Sequence, residues 1–342
     1  MEEKKTILEV EDLSVSFFTK AGEVQAVRNA SWHLGEKETI AIVGESGCGK
    51  TVSIQTVMGL LQKPVGQIKN GKILFHGEDI SAYTPKQYRQ IQGNRMTMIF
   101  QDPLTYLNPT MRVGRQIAEA YRQHHNVSMR DADERVLEIM RLVRFPTPES
   151  NMRRFPHELS GGMRQRIMVA MALICDPEIL FADEPTTALD VTIQAQIIDL
   201  MNGLKEKVNT SIVLITHDLG VVAQMAERVY VMYAGKIMEH GDARTIFKNP
   251  KHPYTWGLLR SVPRLDADNK VELASIPGTP PDLIKPPVGC PFAPRCEHAM
   301  NICKDRQPPV YHFDEPEHYA ACWRYDPRYL ALTAQDGEEE EA

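Results

Sequence analysis

The sequence has no long apolar run and few cysteines. None of its 342 residues belongs to a stretch approaching the roughly 18 consecutive apolar residues of a membrane-spanning helix. The chain also does not start with a basic segment followed by an apolar one, as a secretory signal does. We therefore expect a cytosolic protein. Its six cysteines would then stay reduced and be available for metal or redox chemistry rather than for disulfides.

Basic residues are not in excess either. Lys and Arg number 39 against 45 Asp and Glu, for a formal net charge of −6. Nucleic-acid binding usually requires a basic surface, so this balance argues against nucleic acid as a partner. The acidic residues 336–342 are typical of a solvated tail. With 42% hydrophobic residues, the chain can still form one large or two smaller globular domains.

A strand-like apolar run, residues 38–43, leads directly into GESGCGKT, residues 44–51, which matches G-x-x-x-x-G-K-[ST]. Glycines let backbone N–H groups point at phosphate oxygens, and a helix predicted from Thr51 to about Leu61 adds the positive end of its dipole. Lys50 can reach the β- and γ-phosphates, and the Thr51 hydroxyl can bind Mg²⁺. The segment therefore predicts a site for a nucleoside triphosphate such as ATP. Its predicted binding residues are Gly44, Glu45, Ser46, Gly47, Cys48, Gly49, Lys50, Thr51 and Val52.

Cys48 raises a separate expectation. A thiol at a helix N-terminus beside a lysine should have a lowered pKa and a raised reactivity. Alkylation of such a thiol would block ATP binding. The alternative is that Cys48 is only a small residue that fits the loop.

Two further strand-like runs end in residues suited to hydrolysis. Residues 178–182 lead into Asp183 and Glu184, and residues 211–216 lead into His217. An acid at a strand end beside the phosphate loop is the place for a second Mg²⁺ ligand, so we assign Asp183 to the metal, directly or through water. Glu184 would orient or deprotonate the attacking water. His217 would hydrogen-bond the γ-phosphate and couple to Glu184.

A second anion-binding helix N-terminus is predicted at residues 158–165, ELSGGMRQ. Ser160 is suited to cap the helix, and two glycines permit close backbone approach. If the two helix N-termini cannot reach one nucleotide within a chain, the second serves a nucleotide bound by a partner. This predicts a head-to-tail dimer with two nucleotides between the subunits. The apolar face of the helix would contain Ile167, Met168, Met171 and Ile174.

The coarse organisation follows from hydrophobic periodicity. Residues 5–40 and about 66–80 alternate like antiparallel strands, and residues about 103–158 have helical periodicity. Residues 159–235 return to alternating helix and strand, which predicts a mostly parallel sheet. A closing hairpin is expected from residue 229 onwards. There is one phosphate loop and no internal repeat, so the chain would be half of a working pair.

Together these motifs resemble those of ABC-type ATPases, over roughly residues 5–250. The resemblance implies an α/β fold: a RecA-like P-loop NTPase core, an antiparallel β-subdomain and a helical subdomain. It implies that Phe17, or Phe18 as the alternative, stacks on adenine, and that Gln101 senses Mg²⁺ and the attacking water. Asp190 would be the aspartate of the loop through which the two subunits of the dimer communicate. The motifs that carry the resemblance are residues 44–51, Gln101, residues 159–165, residues 179–184, Ala188-Leu189-Asp190 and His217, and the signature residues predicted to bind the partner's nucleotide are Ser160, Gly161, Gly162 and Gln165.

The chain is similar in particular to the ATP-binding subunits of bacterial oligopeptide and dipeptide importers. This resemblance implies a second ATPase subunit, often a paralogue, two transmembrane permease subunits and an extracytoplasmic peptide-binding protein. The chain would then lie peripherally on the cytoplasmic face of the membrane. Nickel importers share much of the pattern and remain the alternative; a non-transport ABC ATPase acting on DNA or ribosomes is the alternative from another class. The segments concerned are residues 101–110, 184–196, 249–259 and 276–283.

The remaining chain, residues 251–342, forms a proline-rich extension to an ATPase domain of residues 1–250. It contains Cys290, Cys296, Cys303 and Cys322, spaced C-x5-C-x6-C-x18-C. This spacing matches neither paired C-x2-C zinc ribbons nor common ferredoxin runs, so it favours a four-thiolate site without choosing the metal. A matching tail in some peptide-importer ATPases resembles a [4Fe–4S] segment. The resemblance therefore favours the cluster, with Zn²⁺ and plain reduced thiols as alternatives.

Overall fold

The computed structural model describes residues 4–187, 190–261 and 276–331, without the side chains of residues 204–207. Ala188, Leu189 and the acidic tail lie outside the described residues. The strands are β1 (Thr6–Thr19), β2 (Gly22–Gly35), β3 (Thr39–Val43), β4 (Gly66–Phe75), β5 (Glu78–Asp79), β6 (Met96–Ile99), β7 (Ile179–Asp183), β8 (Ser211–Thr216), β9 (Arg228–Tyr233), β10 (Lys236–Asp242), β11 (Tyr311–His312) and β12 (Tyr319–Ala320).

The helices are short to medium in length. They are α1 (Lys50–Val57), α2 (Pro85–Ile91), α3 (Pro103–Tyr106), α4 (Val113–His124), α5 (Met129–Leu142), α6 (Pro148–Asn151), α7 (Gly161–Leu173), α8 (Val191–Val208), α9 (Leu219–Met225), α10 (Ala243–Lys248), α11 (Pro253–Arg260) and α12 (Asn301–Asp305). Single 3-10 turns occur at Pro156–Glu158, Ala293–Arg295 and Trp323–Tyr325. Within the described part of the chain, no helix combines the length and apolarity needed to span a membrane.

Two sheets organise the molecule. One is antiparallel, in the order β2-β1-β4-β5, and the other has eight strands in the order β11-β12-β10-β9-β3-β8-β7-β6. In the larger sheet β6, β7, β8, β3 and β9 run parallel to one another, and β10 pairs antiparallel with β9. β3, β7, β8 and β9 are buried along their whole length, as parallel strands covered on both faces are. This arrangement is the α/β architecture that the motifs predict.

Helix α1 is shorter than the sequence predicts. It ends at Val57 rather than near Leu61, because Gly59 adopts a left-handed φ of 66°. The N–H of Leu60 then donates to the carbonyl of Gln55 at 2.8 Å and that of Gly59 to Thr56 at 3.0 Å. This pair of bonds is the Schellman arrangement, which satisfies the last carbonyls and stops the helix.

Four helices, α3 to α6, lie in the sequence between β6 and β7. On α5 the side chains of Val136, Ile139 and Met140 are buried, and Val143 is buried at its C-cap. Their spacing at i, i+3, i+4 and i+7 places them on one face of the helix. That face packs in the same apolar core as α4 and α7.

The cysteine-containing extension joins the main sheet. β12 pairs with β10 through Glu239–Ala320 and His240–Tyr319, and β11 pairs with β12. Tyr254 and Phe292 are buried in the main core. The extension therefore shares the apolar core of the ATPase domain through its aromatic side chains.

Candidate nucleotide site

Four neighbouring parallel strands bring the predicted site residues to one edge of the larger sheet. β3 leads into the loop of residues 44–51, β7 ends at Asp183, β8 precedes His217, and β6 ends two residues before Gln101. Open α/β sheets bind ligands outside the carboxyl ends of their parallel strands. The topology therefore assembles the site from segments that are far apart in the sequence.

Two glycines of the phosphate loop are required by close backbone contacts. A Cβ on Gly44 would lie 2.1 Å from the carbonyl oxygen of Met232, and one on Gly49 would lie 2.3 Å from that of Ala26. Both also have positive φ, at 152° and 105°. Any other residue would push the loop away from β9 and β2, so the loop needs glycine at both positions.

Lys50 begins α1 and is 4% exposed. Its Nζ donates to the carbonyl oxygens of Gly44 at 2.7 Å and of Glu45 at 3.0 Å, so the side chain curls back over the loop. The ammonium group therefore already lies inside the loop that is predicted to hold the phosphates. It would have to exchange these carbonyl bonds for phosphate oxygens when ATP binds.

The expectation of an activated thiol at Cys48 is wrong. The side chain is 5% exposed, and its burial raises the thiol pKa despite Lys50, whose Nζ lies 3.8 Å from Sγ. Desolvation disfavours the thiolate more than one ammonium and the helix N-terminus favour it. Cys48 is a small buried residue that fits the loop, which is the alternative given above.

Two of the three residues predicted at the Mg²⁺ site, Thr51 and Asp183, lie together, while the third, Gln101, binds Glu184. The Thr51 hydroxyl donates to Oδ1 of Asp183 at 3.0 Å. Burial raises the pKa of Asp183 to about 6. The hydrogen bond from Thr51 lowers this pKa, and the Glu184 charge raises it by a smaller amount. A buried carboxylate and a hydroxyl are oxygen donors of the kind that Mg²⁺ prefers, so their chemistry fits a magnesium site.

Glu184 is the centre of a hydrogen-bonded cluster. Gln101 Nε2 donates to its Oε2 at 2.7 Å, His217 Nδ1 lies 3.0 Å from its Oε1, and the Thr187 hydroxyl donates to Oε2 at 3.0 Å. Burial opposes ionisation of Glu184, but the bonds to His217 and Thr187 outweigh it and lower the pKa below the ordinary value. Sequence reasoning missed Thr187, although it lies within the segment 184–196 that carries the family resemblance.

The backbone of Glu184 is unusual. Its φ is 46°, in the left-handed region, and its N–H donates to the carbonyl of Ile215 at 2.8 Å. A residue with a Cβ adopts this conformation only when its surroundings enforce it. The bond to β8 helps to hold this backbone conformation, in which the carboxylate contacts Gln101 and His217.

The signature segment also has the predicted local structure. The Ser160 hydroxyl accepts a bond from the N–H of Met163 at 3.4 Å and caps α7. Ser160 and Gly161 are exposed. A Cβ on Gly162 would lie 2.7 Å from Ile193 of α8. The exposed N-terminus of α7 is therefore free for a ligand within the described chain.

Gln165 and Asp190 have structural partners of their own. Gln165 is 2% exposed and donates to the carbonyl of Pro185 at 2.7 Å. In this position it supports the segment after Glu184, and its role at a partner's nucleotide stays a prediction. Asp190 is exposed and caps α8 by accepting a bond from the N–H of Ile193 at 3.0 Å.

Phe17 and Phe18 are adjacent on β1 and therefore face opposite sides of the sheet. Phe17 is half-buried and pairs with Gly66, whereas Phe18 is 40% exposed with Lys69 Nζ 5.1 Å from its ring centroid. Stacking of Phe17 on adenine stays a prediction.

Known proteins share this combination of features. The ABC transporter family matches residues 27–187, and the oligopeptide/dipeptide transporter C-terminal region matches residues 238–303. The oligopeptide transport ATP-binding protein OppD of Bacillus subtilis is 52% identical over 94% of this chain and 89% of its own length. The dipeptide transport ATP-binding protein DppD of the same organism is 53% identical over 94% of this chain and 96% of its own. The chain belongs to the oligopeptide/dipeptide ABC transporter ATP-binding family.

This membership confirms the family and the ATPase activity predicted from the motifs. The fold is confirmed by solved structures of ATP-binding cassettes. One of them is the cassette MJ0796 in a dimeric post-hydrolysis state bound to ADP and Pi, which has a TM-score of 0.63 and 22% identity. It covers 69% of this chain and 99% of that chain.

The four clustered cysteines of this family member line one small cavity. Cys290, Cys296, Cys303 and Cys322 surround about 10 Å³, room for no more than a water molecule. Burial raises the pKa of Cys290 to about 12 and that of Cys322 to about 11. Among the described residues, no group of three or more His, Cys, Asp or Glu is arranged to hold a metal ion. Thiols are nevertheless the donor type that Zn²⁺ and iron–sulfur clusters bind. His298 and His312 are exposed, and Cys175 is buried.

Proposed function

We propose that this ATPase is the energy-coupling subunit of an importer for oligopeptides or dipeptides. The single observation that carries the hydrolytic mechanism is the cluster of Gln101, Glu184 and His217 beside the phosphate loop. The substrate class is supported by the relatives named above, which are oligopeptide and dipeptide transport ATP-binding proteins. The similarity extends over most of their length.

The proposed chemistry is hydrolysis of the terminal phosphate of ATP. Lys50 leaves the carbonyls of Gly44 and Glu45 and binds the β- and γ-phosphates. Thr51 and Asp183 would hold Mg²⁺, which neutralises charge on the phosphate oxygens when bound. The ionised Glu184 accepts a proton from water while the water oxygen bonds to the γ-phosphorus. The bond from that phosphorus to the bridging oxygen breaks, giving ADP and phosphate.

Gln101 and His217 position the base in this scheme. Gln101 Nε2 holds one carboxylate oxygen of Glu184, and His217 holds the other at 3.0 Å. The bonds from His217 and Thr187 keep the carboxylate ionised, and those from Gln101 and His217 fix its orientation, so it is ready to accept a proton.

The exposed N-terminus of α7 fits a nucleotide held by a second ATPase subunit. In this proposal Ser160, Gly161 and Gly162 complete the partner's site in a head-to-tail dimer, with Asp190 at the same interface. The second ATPase would be a paralogue. Two permease subunits and an extracytoplasmic peptide-binding protein complete the importer, and the chain would lie on the cytoplasmic face of the cell membrane. α3 to α6 would transmit the motion of the dimer to the permeases.

A Glu184→Gln variant tests the hydrolytic role. We expect its ATPase rate to fall by about 10²- to 10⁴-fold, because proton transfer is lost while ATP binding remains. Size-exclusion chromatography with ATP should then detect a stable dimer. Glu178→Gln is the matched control. Glu178 lies just before β7, at the end of the strand opposite Glu184, and pairs with Arg95 and His76. Unchanged turnover in Glu184→Gln would refute the proposed base.

The transported substrate is tested in cells that lack this gene. Uptake of labelled dipeptides and longer peptides should fall and return with the wild-type gene, but not with the Glu184→Gln variant. Loss of Ni²⁺ uptake with unchanged peptide uptake would instead favour a nickel importer.

For the cysteine extension we propose a four-thiolate metal centre at Cys290, Cys296, Cys303 and Cys322, with [4Fe–4S] as the first assignment and Zn²⁺ as the alternative. Metal and acid-labile sulfide analysis of anaerobically purified protein tests it. About four irons and four sulfides per chain indicate the cluster, and about one zinc indicates a structural zinc site. Cys303→Ser should lose the metal, whereas Cys175→Ser should keep it. Neither metal in active protein would refute the centre and leave the ATPase intact.

A further inference from the structure

The cysteine extension makes a direct contact with the phosphate loop. Arg295 lies in the 3-10 turn between Cys290 and Cys296, and its guanidinium binds both carboxylate oxygens of Glu45. Nη1 lies 2.5 Å from Oε2, and Nη2 lies 2.9 Å from Oε1. Glu45 is the second residue of the phosphate loop. This bidentate ion pair therefore joins two segments 250 residues apart in the sequence.

The arginine is built into its site. Its side chain is only 5% exposed, against 26% for Glu45. The remaining guanidinium donors bind the carbonyls of Pro277 at 2.8 Å and Ile276 at 3.1 Å and the hydroxyl of Tyr233 at 3.1 Å. A guanidinium offers five N–H donors, and here each has an acceptor. The side chain is consequently held in one orientation, aimed at the loop.

A second contact reaches the same loop residue. The Glu45 N–H donates to the hydroxyl of Tyr254 at 2.8 Å. The Tyr254 ring packs against Phe292, with centroids 5.3 Å apart, and Phe292 lines the four-cysteine cavity. The segment from Cys290 to Cys296 thus holds Glu45 directly through the Arg295 side chain and indirectly through the packing of Phe292 against Tyr254.

These contacts become more important when ATP binds. Lys50 now bonds to the Glu45 carbonyl, and it must release that carbonyl to reach the phosphates. Arg295 and Tyr254 would then be what holds Glu45 in place. Arg295 also neutralises a carboxylate that would otherwise repel the phosphates of the incoming nucleotide.

We propose that Arg295 is a positioning residue for the nucleotide site, and that it couples the four-cysteine segment to ATP affinity through Glu45. This inference rests on the proposed function, because it takes residues 44–51 as the ATP site. When the cysteine segment is folded, it holds Glu45 in place. When the segment is disturbed, that support is lost and the affinity of the loop for nucleotide changes.

Titration of the purified full-length chain with a fluorescent ATP analogue tests the positioning role. Arg295→Met should raise the Kd by about tenfold or more, since a charge-assisted bidentate pair is lost. The KM for ATP should rise with it, while kcat changes less, because Arg295 is not expected to touch the reacting atoms. Arg295→Lys keeps the charge but not the paired geometry and should recover part of the affinity. Arg328→Met is the matched control, because Arg328 pairs with Asp326 within the extension.

A double variant separates this role from a general loss of folding. If Arg295 acts through Glu45, Arg295→Met should cost much less affinity in a Glu45→Gln background than in the wild type. Equal costs in both backgrounds would overturn the inference, as would a wild-type Kd in Arg295→Met. In either case the wild-type chain would still bind and hydrolyse ATP, so the proposed function would stand. A wild-type chain that binds no ATP would refute both.

The coupling has a reciprocal readout. If the cysteine segment affects ATP affinity, ATP must stabilise the segment in return. Hydrogen-exchange mass spectrometry should therefore find the backbone amides of residues 290–296 exchanging severalfold more slowly with the ATP analogue. Arg295→Met should remove this protection. Exchange rates that do not respond to nucleotide in the wild type would overturn the coupling.

Discussion

Replacing Asp183 by asparagine should stabilise the nucleotide-free protein while abolishing hydrolysis. The Asp183 side chain is 5% exposed, and its burial raises the pKa from 3.8 to about 6. The difference of about 2 pH units corresponds to roughly 3 kcal/mol of unfavourable free energy in the ionised folded state. Asparagine has nearly the same shape, keeps an acceptor for the Thr51 hydroxyl and carries no charge. It therefore removes this penalty, together with the predicted Mg²⁺ ligand.

The stabilisation should depend on pH in a defined direction. A carboxyl with a raised pKa in the folded state binds its proton more tightly there than in the unfolded state. Its contribution to stability is fully present below about pH 3.8 and is lost as the pH rises through about 6. The advantage of Asp183→Asn should thus be full near about pH 7.5 and about half as large near pH 5.

Thermal unfolding in EDTA, without nucleotide, measures this effect. For a chain of this length, roughly 3 kcal/mol corresponds to a rise in Tm of about 4 °C. Asp190→Asn is the matched control, because Asp190 is exposed and asparagine caps a helix equally well. Added Mg²⁺ should raise the Tm of the wild type more than that of Asp183→Asn. The reasoning is refuted if Asp183→Asn is no more stable than the wild type near pH 7.5, or if its gain is the same at both pH values.

Three further predictions concern other contacts. His217→Ala should move the acid limb of the kcat profile to higher pH, because a bond that lowers the pKa of Glu184 is lost; an unmoved limb would contradict this. Ser160→Ala should cost about 1 kcal/mol of stability through the lost cap of α7, measured by denaturant unfolding, and Ser160→Asn should not. Glu239 is fully buried and accepts bonds from the N–H groups of Lys251 and His252 and from His318, so Glu239→Gln should destabilise the chain by about 3 kcal/mol. Proteolysis of Glu239→Gln no faster than that of the wild type would count against this anchoring role.

Much of the nucleotide site could be read from local pattern. The strands predicted at residues 38–43, 178–182 and 211–216 appear as β3, β7 and β8 within one residue at each end. Short runs of β-branched and apolar residues bounded by motif residues are unambiguous, because no competing helix period is present. Ser160 was likewise recognisable as a cap from its own chemistry and its position before an apolar helix.

Local pattern failed where a long-range environment decides the outcome. The pKa of Cys48 depends on burial beneath neighbouring strands, which outweighs the nearby lysine and the helix N-terminus. The buried bond from the Gln165 amide to the carbonyl of Pro185 likewise depends on packing between distant segments. Neither result could be predicted without knowing what covers each side chain.

The sequence by itself determined the motifs of this protein: a phosphate loop, the strand end that carries the proposed base, and four cysteines gathered in one extension. The phosphate loop and the strand end depend on residues within a few positions of one another, where spacing alone places side chains. Only the tertiary structure decided that Arg295 binds Glu45 and that β12 extends the main sheet beside β10. Contacts between residues so far apart depend on strand order and on the burial shared by two segments. No local periodicity encodes them.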